Sequence, residues 1–168
     1  VRVNIIVFTT SSALRKHLSA AFKGTSARLL YREQLILPAD HTEGVYLVHA
    51  GSFNSAMIEA VLKVRANGQF PLAVVENVPN VGSMLNFTQL GARGYCNAFM
   101  ASDYYRQLVS LLDQGMSWFP PSLLADAFAL AQSSLSGGAS DEELALLTPR
   151  EKEVAFNVAQ GKSNKAIA

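Results

Sequence analysis

The sequence predicts an α/β fold: a doubly wound, five-stranded parallel sheet with helices on both faces. Three observations carry this. Five short runs are almost continuously apolar instead of alternating, as strands buried on both faces must be. All but one of the stretches between and after them carry apolar residues at helical spacing and end on glycine. The connections are short, so each strand feeds the next through a crossover helix. At about 115 residues, strand order 2-1-3-4-5 is the natural arrangement, although alternation alone does not fix it.

The elements follow in order. Residues 3–8 (VNIIVF) form the first strand. Thr9 to Ser12 can cap a helix that carries Leu14, Leu18, Ala21 and Phe22 and stops at Gly24. Residues 27–31 form a short second strand, and the stretch from there to Gly44, with Pro38, holds at most a short helix. The third strand is 45–50, followed by a helix capped by Asn54, carrying Ile58, Val61 and Leu62, and closed by Gly68. The fourth is 71–75, followed by a helix capped by Asn80 with Met84, Leu85 and Phe87, ending near Gly91. The fifth is 94–97. Ser102 or Asp103 then opens a helix with Leu108, Val109, Leu111 and Leu112 that Gly115 stops. Within residues 116–135, Trp118-Phe119-Pro120-Pro121 leads into a proline-started amphipathic helix with Leu123, Leu124, Ala127, Phe128 and Ala131. Residues 133–140, with Gly137-Gly138, read as a flexible linker.

Composition narrows the function. The chain has 168 residues, 49% hydrophobic, only 16% charged, with a formal net charge of +1. A sizeable core can form, but no broad basic surface for nucleic acid is announced. Cys96 is the single cysteine, so there is no internal disulfide and no cysteine-based zinc site, in keeping with a reducing cytoplasm. The run at 3–8 is too short to span a membrane or to act as a signal sequence, and no membrane partner is expected. There is no phosphate-binding glycine loop, no serine nucleophile elbow and no paired-carboxylate motif, so the chain is read as no enzyme and as needing no cofactor.

The end of the chain is more specific. Thr148 is a helix N-cap, Pro149 suits the first helical position, and Glu151 completes a capping box. Val154 and Val158 share one face, Gly161 ends the helix, and Ser163 caps the next, which begins Asn164-Lys165-Ala166-Ile167. Helix, glycine turn and helix make the opening of a helix-turn-helix. Residues 147–168 resemble the start of the LuxR/NarL-type DNA-binding domain, whose members read Leu-Thr-Pro-Arg-Glu, then Gly, then Ser-Asn-Lys-x-Ile-Ala. The family's major-groove helix would lie beyond Ala168. Residues 1–168 by themselves are therefore expected to lack specific DNA binding, with Lys162, Ser163, Asn164 and Lys165 left as backbone-phosphate candidates.

Together with that motif, the five βα units, in the flavodoxin-like order, resemble a response regulator, and Gly91-Ala-Arg-Gly-Tyr95 is similar to the approach to the fifth strand of receiver domains. The resemblance divides the chain into a receiver-like domain (1–115), a linker helix and flexible linker (116–142), and the N-terminal part of a LuxR-type helix-turn-helix (143–168). It also implies a phosphotransfer site: two acids for Mg²⁺ after strand one, an acceptor Asp ending strand three, a Ser or Thr ending strand four and a Lys ending strand five. Those positions fall here on Thr9 and Thr10, His49, Glu76, and Ala98 or its neighbour Asn97. A one-residue slip changes nothing, because residues 1–32 contain no Asp and none lies between Asp40 and Asp103. The pocket is expected to be degenerate. His49 and Glu76, at adjacent strand ends, invite a hydrogen-bonded or metal pair or a phosphohistidine site. The preferred reading is a His satisfied by a nearby carboxylate or backbone group.

Two classes of function follow. The leading one is a transcription regulator of LuxR/NarL type, controlled without aspartyl phosphorylation and acting on promoter DNA as a homodimer. The alternative is a protein-interaction module that does not act on DNA. A protein or small-molecule signal is expected in place of phosphorylation. Cyclic di-GMP is disfavoured: Trp118-Phe119 matches half of a ligand motif found in a subgroup of the family, but Pro120 and Pro121 replace its hydroxyl and Arg, and packing of the linker helix is the simpler role. Tyr104 and Tyr105 cannot both point inward with Leu108 and Leu112, so one should stay exposed and mark a self-association face.

Overall fold

The computed structural model describes residues 3–37, 44–65 and 71–135. Everything from Ser136 onward, including the helix-turn-helix motif and Lys162 to Lys165, lies outside the described residues, as does Gly68. Five parallel strands make one sheet: β1 (Asn4–Phe8), β2 (Arg28–Arg32), β3 (Val45–His49), β4 (Leu72–Glu76) and β5 (Gly94–Asn97), in spatial order β2-β1-β3-β4-β5. The register pairs Ile5 with both Leu29 and Val45, Leu47 with Ala73, and Val75 with Cys96. Strands β1, β2 and β4 start one residue later than the apolar runs suggest. The helices are α1 (Ser12–Ala21), α2 (Ser55–Arg65), α3 (Val81–Gln89), α4 (Ser102–Asp113) and α5 (Pro121–Leu135). Among the described residues, none is long and apolar enough to cross a membrane.

Period-two alternation divides each strand between two cores. Ile5, Val7, Leu47, Val75 and Cys96 face α1 and α4. Ile6, Phe8, Val48, Val74 and Tyr95 face α2, α3 and α5. Both faces being covered is why the strands read as unbroken apolar runs. Each large side chain fully buried here contributes about 1.5–3 kcal/mol relative to exposure.

The helix starts follow capping chemistry. Ser11 accepts from Leu14 N, Asn54 from Met57 N and Asn80 from Ser83 N. The start of α4 corrects the expectation: Ala101 occupies the cap with no side-chain bond, and Ser102 and Asp103 lie within the first turn. There Asp103 favours the helix dipole and pairs with Arg106 at 2.5 Å. Gly24 and Gly115, at φ 78° and 76°, make the left-handed turns that end α1 and α4. No helix forms over residues 33–37, and a single 3-10 turn (Ala50–Ser52), not expected from the sequence, follows β3.

Strand β5 would be an exposed edge. Trp118 closes it: its N–H donates to Arg93 O at 3.0 Å, and its carbonyl accepts from Tyr95 N at 3.2 Å. Its ring joins the core on the α4 side, with Nε1 donating to Gln107 Oε1 at 3.3 Å, whereas Phe119 packs into the core on the other side. The pair straddles the sheet edge. Ala127 and Ala131 are buried, but Leu124 and Phe128, expected on the packed face of α5, are exposed. Of the two tyrosines on α4, Tyr105 is buried, with its hydroxyl donating to Ala98 O at 2.9 Å, and Tyr104 is half exposed.

The buried hydroxyl and thiol groups should make the fold sensitive to alkali. Burial pushes the Cys96 thiol up to about 12. Burial also raises Tyr105, and burial together with the Glu76 hydrogen bond raises Tyr95. These groups hold their protons more tightly folded than unfolded. Their contribution is complete below the unfolded pKa and is lost as pH climbs through the folded value. For Cys96 that window runs from 9.0 to about 12. The melting temperature should therefore fall progressively above pH 9, and a flat profile in calorimetric scans up to about pH 11 would contradict the assignment.

Candidate functional site

The carboxyl ends of the strands form a rim, the usual place for a site in an open α/β sheet. Thr9 follows β1 directly and His49 ends β3, and both are buried polar residues. They lie side by side because β1 and β3 are paired, with Phe8 opposite Val48. The Thr9 hydroxyl sits 3.2 Å from His49 Nδ1 and 3.1 Å from Ser52 Oγ. Ser52 Oγ is 2.7 Å from the same Nδ1 and accepts from Thr10 N at 3.0 Å. On the far side of the ring, His49 Nε2 is 3.0 Å from Asn77 Oδ1. The amide oxygen can only accept, so the proton belongs on Nε2, and Nδ1 then accepts from the hydroxyls. Thr9 Oγ1 also accepts from Ser11 N at 3.0 Å, which ties the cluster to the start of α1.

Glu76 is not part of this cluster. It turns away to accept a hydrogen bond from the Tyr95 hydroxyl, which in turn accepts from Asn80 N at 3.0 Å. The His49–Glu76 pair suggested by adjacent strand ends is therefore not formed. His49 is satisfied by two hydroxyls and an amide instead of the carboxylate or backbone group expected. Ser52, Asn77 and Tyr95 were not among the site residues expected from the sequence. The signals were nonetheless there: Ser52 lies three residues past His49, and Asn77 directly follows Glu76. Thr10 is exposed and enters only through its backbone N–H. Ala98 is buried, its N–H donating to Glu76 O at 2.9 Å, and Asn97 spends its side-chain oxygen on Phe99 N at 2.7 Å.

The donor set does not suit Mg²⁺. That ion wants hard, anionic oxygens in near-octahedral array. The ligands on offer are neutral hydroxyls, an imidazole and an amide, already committed to one another. Among the described residues, no three His, Cys, Asp or Glu side chains converge.

No family model matches the sequence, and no curated protein does. Solved structures do. A response regulator from Thermotoga maritima aligns at TM-score 0.57 and 14% identity, over 68% of this chain and 99% of that one. Full-length FixJ from B. japonicum aligns at TM-score 0.56 and 20% identity, over 99% and 79%. A LuxR family DNA-binding response regulator from Silicibacter pomeroyi aligns at 0.54 and 17%, over 71% and 98%. The fold is the receiver fold of response regulators. Thr9 and His49 sit at the carboxyl ends of β1 and β3, and the Trp118-Phe119 pair fastens α5 onto the sheet.

Proposed function

We propose that this protein is a transcription regulator of LuxR/NarL type whose receiver does not respond to aspartyl phosphorylation. The observation that carries the reading is the Thr9–His49–Ser52–Asn77 cluster. It supports the reading because hydroxyls, an amide and an imidazole line the strand ends, where a phosphorylated receiver keeps three carboxylates and a metal ion. His49 has no oxyanion to accept a phosphoryl group in the Asp manner, and Ala98 supplies no cation to neutralise one. The helix-turn-helix motif at 147–168 supports promoter DNA as the partner, with the output domain placed after the 116–142 linker. Half-exposed Tyr104 beside the Trp118 ring supports a homodimer face on α4. The signal is then a protein or a small molecule. The use of Trp118 and Phe119 in packing argues against cyclic di-GMP at that pair.

The test is a promoter mobility-shift titration of the regulator extended through its complete helix-turn-helix, with and without acetyl phosphate or a beryllium fluoride mimic plus Mg²⁺. Affinity should change less than twofold. A tenfold phosphate-dependent increase, equal to about 1.4 kcal/mol, would overturn phosphorylation independence. Failure of that extended chain to shift any promoter fragment would overturn the DNA assignment.

A further inference from the structure

We propose that Ser52 is a reactive nucleophile, acylated by small activated esters, with His49 as its general base and Asn77 as the residue that positions the base. A nucleophile within hydrogen-bond reach of a base, itself oriented by a third group, is the geometric signature of an activated hydroxyl. Here Ser52 Oγ lies 2.7 Å from His49 Nδ1, and His49 Nε2 lies 3.0 Å from Asn77 Oδ1. The partition of burial fits those roles. The imidazole is 3% exposed and shielded from water, while Ser52 is only half-buried and can be reached.

Two further features favour negative charge at Ser52. The Thr10 N–H donates to Oγ at 3.0 Å, and the Thr9 hydroxyl lies 3.1 Å away, so a departing proton leaves an alkoxide with donors in place. Helix α2 also begins three residues after Ser52, at Ser55, and has no acid in its first turn to offset its positive end. The exposed neighbour Gly51 has no side chain to cover Ser52, and a Cβ there would meet the His49 ring at 3.0 Å.

The step balances within the cluster and its ester. Ser52 Oγ attacks the carbonyl carbon as its proton passes to His49 Nδ1. The bond between carbonyl carbon and leaving oxygen breaks, and Nδ1 returns the proton to the leaving alkoxide. The products are an ester on Ser52 and a free alcohol. No oxidant, metal or second protein is required. This reactivity does not depend on DNA binding.

The experiment treats residues 1–168 with a fluorophosphonate probe and, separately, with p-nitrophenyl acetate, and locates adducts by peptide mass spectrometry. A single dominant adduct on Ser52 is expected, absent in Ser52→Ala. His49→Gln should slow labelling by about 100-fold or more, the scale of a lost general base, with melting curves showing the variant folded. Asn77→Ala should slow it less, because it removes the orienting group and leaves the base. No adduct on Ser52 under conditions that label a serine hydrolase overturns the proposal. So does labelling spread evenly over surface serines, or labelling of folded His49→Gln at the wild-type rate.

Discussion

Replacing Trp118 with Ala should cost about 3–5 kcal/mol, the range for deleting a large buried aromatic. In a domain of this size that lowers the melting temperature by roughly 10–20 °C. The effect should be unevenly distributed. The main-chain bonds of residue 118 to Arg93 and Tyr95 survive the substitution, but the ring leaves the core it shares with Leu112, and its Nε1 bond to Gln107 is lost. Helix α5 should then exchange its amide hydrogens well before β1 and β3. Uniform loss of protection across the sheet, or a melting shift below about 3 °C, would show that the ring is not what fastens the helix.

Gly94→Val should be nearly as damaging for the opposite reason. A Cβ at this buried position would lie 2.8 Å from Ala73 Cβ, 3.2 Å from Leu112 Cδ1 and 3.4 Å from the Trp118 carbonyl. Two of those neighbours cannot give way cheaply, since one is bonded directly to its backbone and the other is backbone. Overpacking of this kind costs about 1–3 kcal/mol, and a branched side chain belongs at the upper end. Because the clash sits where β5, β4 and the Trp118 main chain meet, the variant should also loosen α5. Urea unfolding with an unchanged midpoint would refute the tight approach.

The fold was legible because both faces of the sheet are covered. That burial makes VNIIVF, VYLV and PLAVV continuous apolar runs, and Ser11, Asn54 and Asn80 announce the helices through local hydrogen bonds alone. Where sequence and structure part, nonlocal packing decides. Leu124 and Phe128 share helical spacing with Ala127 and Ala131, but only the small residues meet the neighbouring elements closely, and the larger ones face outward. Ala101 caps α4 without a side-chain bond, so the first-turn residues Ser102 and Asp103 looked like better starts than they are. The site was half legible. The lost carboxylates could be read directly from the absence of Asp over residues 1–32 and between Asp40 and Asp103. The hydrogen bonds of His49 could not, because strand pairing brings Thr9 and Asn77 to it from 40 and 28 residues away.

The clamp formed by Trp118 and Phe119 has a mechanical consequence. A helix joined through a free linker would swivel, and motion of the sheet would be lost at the joint. Here the joint is stitched on both sides of β5, so α5 moves as an outrigger of the sheet. Its 15 residues make an arm of about 22 Å. A tilt of roughly 10° at the clamp would carry the far end by about 4 Å, as arm length times angle. Anything that leans on the sheet would thus be felt at the far end of α5, one arm length away.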